Sequence, residues 1–243
     1  MYEVRLGAVA ALVLLSSASG VQAKCMPLGP DDAGCLVASR RAAHCEGGFS
    51  RAEVEPLLGN IARCHARQVR ALFNHQSFDE EGCEQKALAP LLSQAPPADC
   101  SCIDPFVVAS LSAAVLDANN SALYCDPAGA PIDPTGDDAG NVPSTKAIER
   151  CEIRVASRAV KLLEAILRCH RIAVERFAAG SPFDEERCET AALTVFNQGV
   201  ASLSGCRGCE SVGSLPSFVE QELSEGLYCE SPGGAFLDFA RVR

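Results

Sequence analysis

Residues 64–84, CHARQVRALFNHQSFDEEGCE, are answered by residues 169–189, CHRIAVERFAAGSPFDEERCE. Each stretch opens on Cys-His, closes on Cys-Glu and sets Phe-Asp-Glu-Glu just ahead of its second cysteine. The period between these landmarks is helical. In the second copy Val155, Ala159, Leu162, Leu163, Ile166, Cys169, Ala173 and Phe177 recur at steps of three and four, the spacing that puts apolar groups on one helix face. Glu164–Arg168 and Arg171–Glu175 sit at helix-pair spacing on the other faces. Val54, Leu57, Ile61, Cys64 and Leu72 take the same parts in the first copy.

The shared acidic motif reads as the start of a second helix. Asp79 and Asp184 are N-caps, whose carboxylates accept the free backbone N–H groups of a first turn. Glu80, Glu81, Glu185 and Glu186 then lie where the helix dipole favours negative charge. Phe78 precedes the cap and pairs with Cys83 as a hydrophobic staple. A third helix is expected near Asp104, where Asp-Pro is a good opening, and near Pro216 in the other copy. The stretch "SRAE" from Ser50 to Glu53 resembles a capping box, and Pro56 lies too deep for that helix, so a restart is expected there.

The duplication extends beyond the motif. Cys45 matches Cys151 and Tyr124-Cys125 matches Tyr228-Cys229, while the close pair Cys100/Cys102 has its counterpart in Cys206/Cys209. Such self-similarity marks a repeat architecture. The chain therefore divides into residues 1–23, a signal peptide; 24–44, an N-terminal cysteine segment; 45–125 and 145–229, two helical repeats; 126–144, a linker; and 230–243, a tail. The expected fold is all-α, two tandem disulfide-stapled three-helix units. The linker is rich in Pro, Gly and Asp, and its run of Asp133, Asp137, Asp138 and Asn141 lacks EF-hand spacing, so it reads as solvated.

The first 23 residues carry Arg5, a short apolar run and small residues before Ala23, an export signal too short to be a comfortable membrane span. No later segment reads as a span. Fourteen cysteines in an exported chain form a disulfide framework. All of Cys25, Cys35, Cys45, Cys64, Cys83, Cys100, Cys102, Cys125, Cys151, Cys169, Cys188, Cys206, Cys209 and Cys229 are expected to be oxidised. Six cysteines allow fifteen pairings per repeat. Helix-hairpin geometry favours Cys64–Cys83 and Cys169–Cys188, with Cys45 and Cys151 reaching the close pairs; Cys25 and Cys35, left outside the repeats, are expected to pair with each other. A formal charge of -10 speaks against nucleic acid and anionic membranes.

Chemistry has few openings. Cys-x-x-Cys-His, which covalent haem needs, is absent because Glu210 follows Cys209. No nucleophile elbow, phosphate loop or dinucleotide fingerprint occurs. A redox role for Cys206/Cys209 finds no matching spacing at Cys100/Cys102. His65 and His170, each beside a cysteine, are the only histidines with a repeat partner; a metal reading would join them to the acidic motif. One glycosylation sequon begins at Asn119.

The signature RCHRIAVERF…PFDEERCETAA resembles the tandem cysteine-rich helical repeats of secreted bacterial proteins, over about residues 45–102 and 151–209. That resemblance implies a helical fold and export, and adds no activity. The reading is a secreted, non-enzymatic protein with no catalytic, cofactor or metal residues assigned. Its role is structural or partner-binding, toward an extracytoplasmic protein. The alternatives are a carrier of a small apolar ligand, with a cavity lined by Leu162, Ile166, Val195 and Phe196, and a metal-binding protein using the acidic and Cys-His clusters.

Overall fold

The computed structural model describes residues 26–132, 138–203 and 212–230. Residues 1–23, where a signal peptide is expected, Asp133, Asp137, Cys25, Cys206, Cys209 and the residues beyond 230 lie outside them. The fold is all-α. Helix α1 (Arg40–Phe49) passes through a π-turn (Ser50–Val54) into α2 (Glu55–Phe73), followed by α3 (Glu80–Leu92), α4 (Pro105–Asp117) and α5 (Asn120–Leu123). A two-residue ribbon, β1 (Ala130–Pro131) with β2 (Asn141–Val142), leads to α6 (Lys146–Ala178) and α7 (Glu185–Ala201). Helix α8 (Leu215–Phe218) then runs through a second π-turn (Val219–Leu223) into α9 (Ser224–Leu227).

The expected caps are present: Asp79 accepts from Gly82 N–H, Asp184 from Arg187 N–H and Asp104 from Phe106 N–H. Ser50 does not open a helix as the capping box would have it, and no restart occurs at Pro56. The first long helix starts earlier, at the N-cap Ser39, and runs through the π-turn without a break. Helix α6 is one unbroken helix over the same ground. The first copy has one residue more between its first two cysteines (45 to 64, against 151 to 169), and a π-turn is how a helix absorbs a single insertion. Pro56 then falls in the first turn of α2, directly after the π-turn, and the helix continues through it.

The two copies share one hydrophobic core. Leu58, Ile61 and Leu116 from the first and Leu163, Leu167 and Leu223 from the second are all buried in it. Helices α1 and α2 pack along α6, while α3 lies on α2 and α7 on α6. Gly47 allows the close approach of α1, since a Cβ there would stand 2.6 Å from Arg171 Cγ.

Four disulfides lie within the described residues: Cys45–Cys100, Cys64–Cys83, Cys169–Cys188 and Cys102–Cys229. The first three meet expectation. The last joins one repeat to the other, a link that pairing within each unit does not anticipate. Cys35, Cys125 and Cys151 are also oxidised, and no described cysteine is free. Disulfides in this number suit an oxidising, extracytoplasmic compartment.

The described residues between the repeats, 126–132 and 138–144, are tied into the fold. Asp126 Oδ1 accepts from Ala128 N–H and Oδ2 from Ser144 N–H, and Asp138 is only 3% exposed. The solvated acidic run expected there fails at Asp138, for the reason given below. Residues Pro105–Leu123 have the length and hydropathy of a membrane span. In the fold this stretch bends at Ala118–Asn119 and buries Val108, Val115 and Leu116 in the core.

Candidate metal centres

The disulfides place the acidic motif. Cys64 neighbours His65 on α2, and Cys83 lies between Glu80 and Glu84 on α3; bonding the two cysteines lays the first turns of α3 against the histidine. Glu80 and Glu84 are one helical turn apart and so share a face. Cys169–Cys188 does the same for His170, Glu185 and Glu189.

In the first centre, His65 Nε2 faces four carboxylates: Glu84 Oε1 at 2.8 Å, Asp117 Oδ1 at 3.4 Å, Asp138 Oδ1 at 3.5 Å and Glu80 Oε1 at 3.6 Å. In the second, His170 Nε2 faces Glu189 Oε1 at 2.6 Å, Asp32 Oδ1 at 3.2 Å and Glu185 Oε1 at 3.4 Å. The histidines are 1% and 0% exposed, so both rings are shut off from solvent, with the Asp117 side chain, 19% exposed, at the edge of the first centre. Several oxygens have no hydrogen-bond partner, among them both of Asp32, both of Glu185, Oε1 of Glu80 and Oδ1 of Asp117. The Asp32 side chain is fully buried.

This is costly electrostatics. A buried carboxylate is tolerated only when its charge is neutralised and its lone pairs are used. Burial disfavours a charged ring at His65, yet Asp117, Glu84 and Asp138 outweigh it and raise its pKa to about 10. Burial opposes Asp32 and Glu189 in the same way at His170, which also rises to about 10. Glu80 and Glu185 are pushed far up, first by burial and then by the neighbouring carboxylates. Burial, with Glu189, Asp31 and Asp32, lifts Glu220 to about 7.

Protons or one divalent cation can restore balance. The donor set suits the cation: at His170 one imidazole nitrogen and three carboxylate oxygens lie within 4.8 Å of one another, and at His65 the ring shares that spacing with two carboxylate pairs, Glu80 with Glu84 and Asp117 with Asp138. Metal–donor bonds of about 2.1 Å put neighbouring ligands about 3.0–3.5 Å apart, close to the separations from Nε2. The second centre also fixes its ring. Ser224 Oγ donates to Val219 O, so it accepts from His170 Nδ1–H at 2.8 Å. A neutral ring then turns its Nε2 lone pair toward the carboxylates, the anchoring that metal-bound histidines have.

The acidic motif thus divides its labour. Asp79 and Asp184 cap, Glu81 is exposed, and Glu80, Glu84, Glu185 and Glu189 are buried at the histidines. His44 and His75 are exposed and take no part. Asp32, Asp117 and Asp138 were not singled out as ligands from sequence. A signal existed for two of them: Asp-Asp-Ala-Gly occurs at residues 31–34 and again at 137–140, and the second aspartate of each is a site residue. Glu46 also approaches Cys102 and Cys229, but those sulfurs are bonded to each other. The sequon asparagine, Asn119, is buried, with Nδ2 donating to Val115 O and Oδ1 accepting from Ser214. Of the residues expected around a ligand cavity, Leu162, Ile166 and Phe196 belong to the core while Val195 is 69% exposed, so they do not line one space.

No protein-family model, curated protein or solved structure matches the chain.

Proposed function

We propose that this is an exported, non-enzymatic protein that holds two divalent cations, one per repeat, in buried histidine–carboxylate centres. One observation carries the reading: in both repeats, buried carboxylates with unpartnered oxygens converge on a buried histidine Nε2. The imidazole favours first-row transition ions such as Mn2+, Fe2+ or Zn2+ over Ca2+ and Mg2+, whose preferred donors are all oxygen. Closed centres suit structural or storage binding, because catalytic metals keep a position open to substrate. A structural or partner-binding role for the whole protein is compatible with this. The carrier reading has less support, since its proposed lining is divided between core and surface. Export rests on residues 1–23 together with the disulfides, and the kinship with secreted bacterial helical repeats rests on the Cys-His signature.

The test is an ion count. Chelator-stripped, disulfide-intact protein titrated with Zn2+ and with Mn2+ should take up two ions per chain by calorimetry and elemental analysis. Glu84→Gln and Glu189→Gln should each remove one. Failure of the folded protein to bind either ion stoichiometrically would overturn the proposal.

A further inference from the structure

The aspartates of the two Asp-Asp-Ala-Gly segments reach their histidines on equivalent straps. After the first repeat, Asn141 N–H donates to Tyr124 O at 2.8 Å while Asp138 meets His65. At the other strap, Cys35 N–H donates to Tyr228 O at 2.7 Å and Ala33 N–H to Glu220 O at 3.0 Å while Asp32 meets His170. The pairing of Pro131 with Asn141 in the ribbon has its counterpart in a bridge between Pro27 and Cys35. The first repeat is therefore completed by the strap that follows it. The second is completed by the strap at the start of the chain, 138 residues before its histidine.

That N-terminal strap also roofs the second centre. A Cβ on Gly29 would stand 2.8 Å from Glu185 Oε2 and 2.9 Å from both Asp32 Oδ2 and Glu186 Oε1. Only glycine lets the backbone cross so near the carboxylates. Docking the strap brings the Asp32 carboxylate, with no hydrogen bond of its own, against Glu185 and Glu189. That approach needs its charge balanced, by protons or by a cation, and a cation closes a ligand set with it.

We infer that a divalent transition ion at His170 is the fastener of the N-terminal strap, so that metal binding and closure of residues 26–37 onto the second repeat are one linked event. This rests on the metal-centre reading above. Linkage is reciprocal: an ion that needs Asp32 must favour the docked strap by as much as the docked strap favours the ion.

Hydrogen exchange on the full, disulfide-intact chain, with Zn2+ as the probe, tests this. At about a hundred times the dissociation constant, exchange at Ala33 and Cys35 should slow by about a hundredfold. Asp32→Asn should bind one ion instead of two and lose that slowing, while keeping the slowing at residues 138–142. Asp138→Asn should show the converse, and Gly29→Ala should resemble Asp32→Asn. Two ions bound with unchanged strap exchange would overturn the inference and leave the centres standing, as would Asp32→Asn retaining both ions. Absence of binding in the parent protein would remove the centres and the fastener together.

Discussion

Glu46 and Glu152 each follow a repeat-matched cysteine, and each reaches the backbone at the end of the other repeat. Glu46 Oε1 accepts from Glu230 N–H at 3.0 Å, and Glu152 Oε1 accepts from Cys125 N–H at 3.2 Å and Asp126 N–H at 3.0 Å. Burial raises Glu46 from 4.5 to about 8, and the backbone hydrogen bonds offset this only in part. Unfolded, Glu46 loses its proton near 4.5; folded, it keeps it to about 8. Between these values the native state binds more protons, so stability falls as pH rises, and the loss is complete above about 8. Glu46→Gln retains an acceptor without the charge. It should be more stable than the parent at pH 8 by up to about 4 kcal/mol and near parity at pH 4.5, read from denaturant midpoints at the two pH values. Parity at both would show that Glu46 carries no such linkage. The caps were legible in sequence because Asp79, Asp104 and Asp184 act on N–H groups two or three residues away. The burial of Glu80 and Glu84 was not, because two glutamates one turn apart look the same on a solvated face as on a hidden one.

At the scale of the element, helix periodicity marked the long helices, but Pro56 misled as a restart, and the π-turn at Ser50–Val54 escaped because an insertion shows only when the two copies are measured against each other. The hairpins α2–α3 and α6–α7 are clamped by disulfides spanning 19 residues each. Removing Cys64–Cys83 with paired alanines should lower stability by about 3 kcal/mol, the loop-closure value for this length. It should also weaken metal binding at His65 while sparing His170, because the bond fixes the distance between α3 and its histidine. Equal weakening at both sites, measured by calorimetry, would show that the clamp acts on global stability alone. Asp138 was out of reach of such local reasoning: it lies 73 residues from His65 and enters through a ribbon that composition alone makes a linker.

Across the whole molecule the repeats are interlocked by Cys102–Cys229, by Glu46 and Glu152, and by the straps. Cys209 stands in the sequence where Cys102 does, and Cys125 where Cys229 does. The repeat relation therefore predicts a second crossing bond, Cys125–Cys209, with Cys151–Cys206 matching Cys45–Cys100. Peptide mapping under non-reducing conditions checks this; a Cys125–Cys151 peptide would break the correspondence. The interlock has a consequence for how such a chain arises. One repeat with one strap holds every part needed to make this molecule twice. Two identical copies of it, related by a two-fold axis and exchanging straps, would give the same pair of centres and the same crossing bonds. The present chain is what fusing such a dimer head to tail would produce, with its N-terminal strap a partner's arm retained within one polypeptide.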